Sequence, residues 1–203
     1  MRDTFKALFR AVALVLVSPA LLSFAVRARL LGRDRALEGS TQMLARLPGV
    51  SGQYLRRAFL GHALAHCHPT ATICFGTLFS QTAARIDEHV YVGANCHLGR
   101  VHIRRDVLIG SGVHVTSGRH THGIDDPTLP VREQEGNRSL VTIGEGVWIG
   151  SAAVVMADVG ANSVVGAGSV VTKPLPSGVI AAGVPARVIR LRQAADAPGV
   201  VNA

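Results

Sequence analysis

The sequence predicts a mainly β chain: a parallel β-helix of six-residue repeats preceded by a helical, partly hydrophobic extension. Three observations predict it. From Ile73 onward the chain can be written in sixes, each opening on an aliphatic residue, usually with Gly or an acid second and a small residue fifth. Aromatic residues are only 4% of the 203 residues while Val, Ala, Leu, Ile and Gly abound, which suits a core of small aliphatic layers. The basic charge is confined to the start. Residues 1–60 hold ten Lys/Arg against Asp3, Asp34 and Glu38, whereas residues 61–203 hold eleven against ten acids, so the net charge of +8 is no nucleic-acid footprint along the repeat.

The length suits one main domain with an appendage. Cys67, Cys74 and Cys96 are an odd number without CxxC spacing, which argues against a disulfide framework or zinc knuckle and for a reducing compartment.

Residues 1–70 read as the helical extension. Its uncharged stretch, residues 11–26, is shorter than the roughly 20 residues of a spanning helix and carries Pro19 near its middle. The segment at about 5–31 is therefore expected to lie on or re-enter a membrane surface, as two short helices meeting at Ser18 and Pro19, with contact through residues 1–35. A spanning or signal segment and a helix packed on its own domain are the alternatives. Residues 40–66 read as helical, from a Ser40 cap through a break at Pro48 and Gly49 to QYLRRAFLGHALAHC, with Leu55, Phe59 and Ala63 on one face. His62, His66, Cys67 and His68 at its end have metal-ligand residue types, but no second cluster supports them, and ordinary polar residues at a helix end are the preferred reading.

Residues 71–192 read as the repeat domain, and residues 193–203 as a flexible tail. The units beginning at 86, 109, 143, 149, 159 and 165 fit aliphatic, Gly or acid, two variable, small, variable without exception. A short strand and a tight turn, three times per coil, put the first and fifth side chains inside and stack the coils at about 4.8 Å. The second-position glycine serves the turn. Period six fits neither an amphipathic helix nor a simple period-two strand. It yields a β-helix but not its hand. VMAD before Val159 is two residues short, which tightens one corner.

With VWIGSAAVV and VGAGSVVTKPLPSGVIAAGVPARVIR (147–190), residues 73–192 resemble the hexapeptide-repeat acyltransferases, a left-handed parallel β-helix superfamily, and within it the maltose, galactoside and colanic-acid O-acetyltransferase branch. The resemblance implies a homotrimer of triangular prisms, acetyl-CoA in a groove between neighbouring prisms, a projecting loop, no metal and no nucleic acid. It implies cofactor contacts at Ser151, Ala167, Thr172, Lys173, Arg187 and Arg190, the last two and Lys173 supplying cations for the nucleotide phosphates. Trp148, the only tryptophan, either walls the site or wedges the coils.

Residues 116–140 contain no hexapeptide and read as a loop, with Asp125, Asp126, Pro127 and Pro130 marking turns. O-acetylation by a thioester needs a base near neutral pH to take the acceptor hydroxyl's proton, and histidine suits that task. His122-Gly-Ile-Asp125-Asp126-Pro127 matches the spacing that the resemblance implies for the catalytic histidine, with His120 as the alternate. Asp125, Asp126 or a backbone carbonyl would orient the other ring nitrogen. The expected activity is direct transfer of acetyl from acetyl-CoA to a hydroxyl of a sugar, polysaccharide or glycolipid, in the cytoplasm or at the inner face of the cytoplasmic membrane. A non-sugar acceptor and a zinc-dependent γ-type carbonic anhydrase, prompted by the spacing of His97 and His102, are the competing readings.

Overall fold

The computed structural model describes residues 2–192, with side chains described from residue 7. The tail at 193–203 lies outside the described residues. Three helices, α1 (Arg2–Leu31), α2 (Arg33–Ala45) and α3 (Gly49–Ala63), precede a β-solenoid that starts at His66.

The solenoid has three parallel sheets of two- and three-residue strands, one sheet per side of each coil. The first sheet runs through His66–Cys67, Arg85–Ile86, Val101–Ile103 and Val141–Ile143, and is continued by bridges at Val159 and Leu175. The second runs from Thr72–Ile73 to Val179–Gly183, with Ala186–Leu191 added antiparallel at its edge. The third comprises Leu78–Phe79, His97–Leu98, His114–Val115, Val154–Val155 and Val170–Val171.

Each coil buries one aliphatic residue per sheet. Ile86, Ile103 and Ile143 stack beneath the first sheet, Val92, Ile109 and Ile149 beneath the second, Leu98, Val115 and Val155 beneath the third. The small fifth residues, among them Val90, Cys96, Val113, Ala153 and Ser169, are buried between them, so both positions face inward. Burial of such side chains contributes about 1.5–3 kcal/mol each, which explains why a chain with few aromatics holds its core.

The fourth position of the repeat, variable in the sequence reading, is where the backbone turns. His89, Asn95, Asp106, Gly112, Gly146, Ala152, Asn162 and Gly168 all have φ between 56° and 69°. Asn, Asp, His and Gly tolerate this left-handed region better than other residues. The second-position glycine has a different job from the turn expected of it. A Cβ on Gly110 would lie 2.6 Å from the Ser151 nitrogen, and one on Gly150 would overlap the backbone of Ala167, so these glycines let successive coils approach.

Along each coil the inward residues of the first, second and third sheets are six apart, as in Ile86, Val92, Leu98 and in Ile143, Ile149, Val155. All irregularity falls on the edge between the third sheet and the next coil's first. Leu98 is followed by Ile103, Val155 by Val159, Val171 by Leu175, and Val115 by Ile143 only after the long loop. The unit that opens on Phe79 is seven residues long, 79–85, and its inward small residue is Ala84. A prism edge that accepts length changes without disturbing the sheets is a natural exit for an insertion.

Two expectations for the extension are corrected. α1 is one continuous helix through Pro19, not two helices meeting there. The hydrogen bond that proline removes is offset by packing of Ala13, Val17 and Phe24 against α2 and α3, with Phe24 edge-on to Phe59 at 5.7 Å. Ser40 caps nothing. It lies inside α2, which starts after Gly32, and its hydroxyl donates to the Ala36 carbonyl and accepts from Arg27. α3 starts after Pro48, and Phe59 and Ala63 lie on its buried face, with Leu55 packed partly against the same core.

Candidate active-site cleft

The loop 116–140 leaves the third-sheet edge and borders the cleft on that sheet. Its two limbs are joined by the Asn137 N–H donating to the His120 carbonyl at 2.6 Å and the Ser139 N–H donating to the Ser117 carbonyl at 2.9 Å. A Cβ on Gly136 would overlap the backbone of Thr121 and one on Gly118 would overlap the Ser139 hydroxyl, so glycine is required where the limbs touch. Farther out, the Gln134 amide donates to the Asp126 and Leu129 carbonyls and its carbonyl accepts from the Asp126 N–H. Between these braces sits His122.

A cleft of about 650 Å³ runs between this loop, the outer face of the third sheet and α2. The loop contributes Thr121, His122 and Arg138, the sheet Leu78, His97 and His114, and α2 contributes Asp34, Arg35, Glu38 and Gln42. His120 does not line it. On the floor, the His97 and His114 rings stack in parallel, 4.7 Å between centroids and 2° between planes. Burial, and then the neighbouring His114, hold the His97 imidazole below the ordinary histidine range, which favours its neutral form.

The other expected site residues are distributed as follows. The Asp126 carboxylate accepts the Thr128 hydroxyl at 2.6 Å and the Thr128 N–H at 2.8 Å, and those bonds hold it below the usual carboxylate range. Asp125 is exposed and makes no side-chain hydrogen bond among the described residues. Ser151 and Ala167 sit one above the other at the corner between the second and third sheets, where the Gly168 N–H donates to the Ser151 carbonyl. Thr172 and Lys173 follow the last strand of the third sheet, on its opposite edge. Arg187 and Arg190 are exposed on the antiparallel strand Ala186–Leu191, opposite Ala182 and Ile180. Trp148, 52% exposed, projects from the second sheet between Leu108 and Val164, on a different face from the cleft.

The histidines near the start of the solenoid do not assemble a site with Cys67. Cys67 faces the core and burial pushes its thiol up to about 12, away from the thiolate a metal requires. His62 has its Nδ1 against the Ala58 carbonyl. Among the described residues no three His, Cys, Asp or Glu side chains are grouped to hold a metal. His102 is paired with Asp87 on the first sheet at 3.0 Å, while His97 stacks on His114.

Sequence reasoning missed the floor and the α2 wall. The floor had a signal: VGANCH and IGSGVH are units one coil apart, and both end in histidine. The wall had none, since residues 34–42 meet residues 97–122 only through the packing of α2 on the first coil.

Residues 84–117 and 140–173 match the family model "Hexapeptide repeat of succinyl-transferase", the gap coinciding with the loop. The chain is 34% identical over 163 residues to the galactoside O-acetyltransferase of Escherichia coli K12, an alignment spanning 70% of this chain and 80% of the relative. It is 41% identical over 91 residues to the galactoside O-acetyltransferase of Lactococcus lactis, spanning 42% and 43%. Among solved structures, a galactoside acetyltransferase in complex with coenzyme A superposes with a TM-score of 0.58 at 26% identity, over 84% of this chain and 91% of that one.

Proposed function

The chain belongs to the hexapeptide-repeat acyltransferases, left-handed parallel β-helix enzymes dependent on acetyl-CoA, and from that premise we propose that it acetylates a sugar hydroxyl with His122 as general base. The observation that carries this is the cleft, which His122 lines and His120 does not. The imidazole takes the hydroxyl proton, the oxygen attacks the thioester carbonyl, and backbone N–H groups stabilise the tetrahedral oxyanion. Collapse breaks the C–S bond, and the imidazolium returns its proton to the departing thiolate. The free cysteines Cys67, Cys74 and Cys96 are buried, which argues against a cysteine nucleophile.

The donor side of the proposal uses Ser151, Ala167, Thr172 and Lys173 on the two edges of the third sheet, with Arg187 and Arg190 for the phosphates. Trp148, Leu108 and Tyr91 form an exposed apolar column on the second sheet, which supports association of prisms into a trimer. Incubation with acetyl-CoA and simple galactosides should add one acetyl group to the sugar, read by mass spectrometry. Release of free coenzyme A without acetylated product, or transfer only to amines, would overturn the hydroxyl-acceptor reading.

We also propose that the enzyme is cytoplasmic and rests on the inner face of the cytoplasmic membrane through α1. Ala7–Leu31 is long and apolar enough to cross a membrane, but Ala13, Val17 and Phe24 are committed to the helical bundle. The opposite face exposes Val15 (71%) and Leu22 (69%), along with Leu8, Val26 and Leu30. A helix anchored on one side and apolar on the other, with Arg10 and Arg29 exposed, suits a position in the interfacial plane of an anionic bilayer. The protein should float with phosphatidylglycerol-containing vesicles, and the pair Val15→Asp and Leu22→Asp should weaken that partition at least about tenfold. Equal flotation of the double variant would refute the α1 contact.

A further inference from the structure

We propose, building on the reading of His122 as the base, that α2 is the acceptor-side wall of the cleft and that Glu38 and Gln42 bind a neutral, polyhydroxyl sugar ring there. The order of groups along the third sheet points to this. α2 is fastened to the first coil, with the Thr41 hydroxyl donating to the Phe79 carbonyl and Asp34 accepting the N–H and hydroxyl of Thr82. His97 lies on the second coil and His114 on the third, from which the loop bearing His122 springs. Ser151 and Ala167, the donor-side candidates, belong to the fourth and fifth coils. The base thus stands between the donor side and α2. Successive coils are about 4.8 Å apart, so the first coil, to which α2 is fastened, lies roughly 10 Å from the third, room for one or two sugar rings along the sheet.

The chemistry of the wall fits a polyol. Glu38 and Gln42 are four residues apart on α2 and so share one face. Both line the cleft, and among the described residues neither side chain makes a hydrogen bond. Asp34, by contrast, is occupied by Thr82. A carboxylate accepts two hydroxyl protons, and an amide both donates and accepts, the set that adjacent hydroxyls require. The neutral edge of His97 adds one donor and one acceptor. Asp34 and Glu38 are balanced by Arg35 and Arg138, which favours a neutral sugar over an anionic one.

The test is steady-state kinetics of coenzyme A release by the full chain, with methyl galactoside, methyl glucoside and methyl glucuronide as probe acceptors. Glu38→Ala and Gln42→Ala should each raise KM for the neutral glycoside about tenfold while leaving KM for acetyl-CoA within about twofold and the melting temperature unchanged. Glu38→Gln should recover part of the loss. An unchanged glycoside KM in both alanine variants, a preference for the glucuronide, or turnover of no glycoside at all by the native chain would overturn the proposal. The two readings separate cleanly. A glycoside KM that does not move, beside an inactive His122→Ala variant, overturns the wall alone. An active His122→Ala variant with a raised KM in Glu38→Ala supports the wall and overturns the base.

Discussion

Replacing His122 by alanine is expected to lower kcat/KM about a thousandfold, within the range that a positioned general base contributes. The loss should lie in kcat, with KM for acetyl-CoA little changed, because the proposed base takes the acceptor proton and makes no contact with the cofactor. His120→Ala is the internal control. His120 is two residues away on the same loop, but it contributes a backbone carbonyl to the loop brace and no lining to the cleft, so its alanine variant should keep activity within about threefold. Both histidines are exposed, and neither variant should shift the unfolding curve. A His120→Ala variant that loses as much as His122→Ala, or a His122→Ala variant retaining more than about a tenth of the native rate, would show that the base lies elsewhere.

The largest expected effect on stability comes from Arg56. It is 2% exposed, on the inner face of α3, and its guanidinium donates to the Ile73 carbonyl at 3.0 Å, the Leu44 carbonyl at 3.2 Å and the Leu47 carbonyl at 2.6 Å. Those carbonyls belong to the second strand of the first coil, the end of α2 and the α2–α3 connection, so one side chain ties the helical extension to the solenoid. The positive charge suits the C-terminal end of α2, where helix carbonyls lack intrahelical donors. Burial pulls the guanidinium's pKa downward, but so basic a group keeps its proton. Arg56→Met fills similar volume while removing all three of these bonds; the Leu44 carbonyl keeps the Leu47 N–H, but the Ile73 and Leu47 carbonyls lose the guanidinium donor. The expected cost is about 4 kcal/mol, or a drop of roughly 10 °C in Tm. Thermal unfolding followed by circular dichroism checks it, and a variant melting within about 2 °C of the native chain would remove Arg56 from this role.

The interior of the solenoid was legible because its information is local. The units at 86, 109, 143, 149, 159 and 165 announce their inward residues by a six-residue period, and each of those six aliphatic residues is buried. The departure from the repeat at 116 was equally visible, and the loop does leave the prism there. Less legible was why the glycines stand where they do. A second-position glycine reads as a turn residue in one dimension, yet Gly110 and Gly150 are needed because the next coil's backbone passes close by. Pro19 and Ser40 misled for a related reason. Each signals a helix boundary by its own chemistry, and packing on neighbouring helices outweighs that local preference.

The site divides along the same line. Sequence alone determined the repeat, the interruption and the pair of histidines within it, because spacing and residue type are properties of the chain. Only the tertiary structure decided which histidine lines the cleft, that the carboxylate of Asp126 serves Thr128, that Trp148 projects from another face, and that α2 closes the cleft opposite the loop. Those outcomes depend on which coil edge meets which helix, and groups eighty residues apart become neighbours only when the coils stack and α2 docks on the first of them.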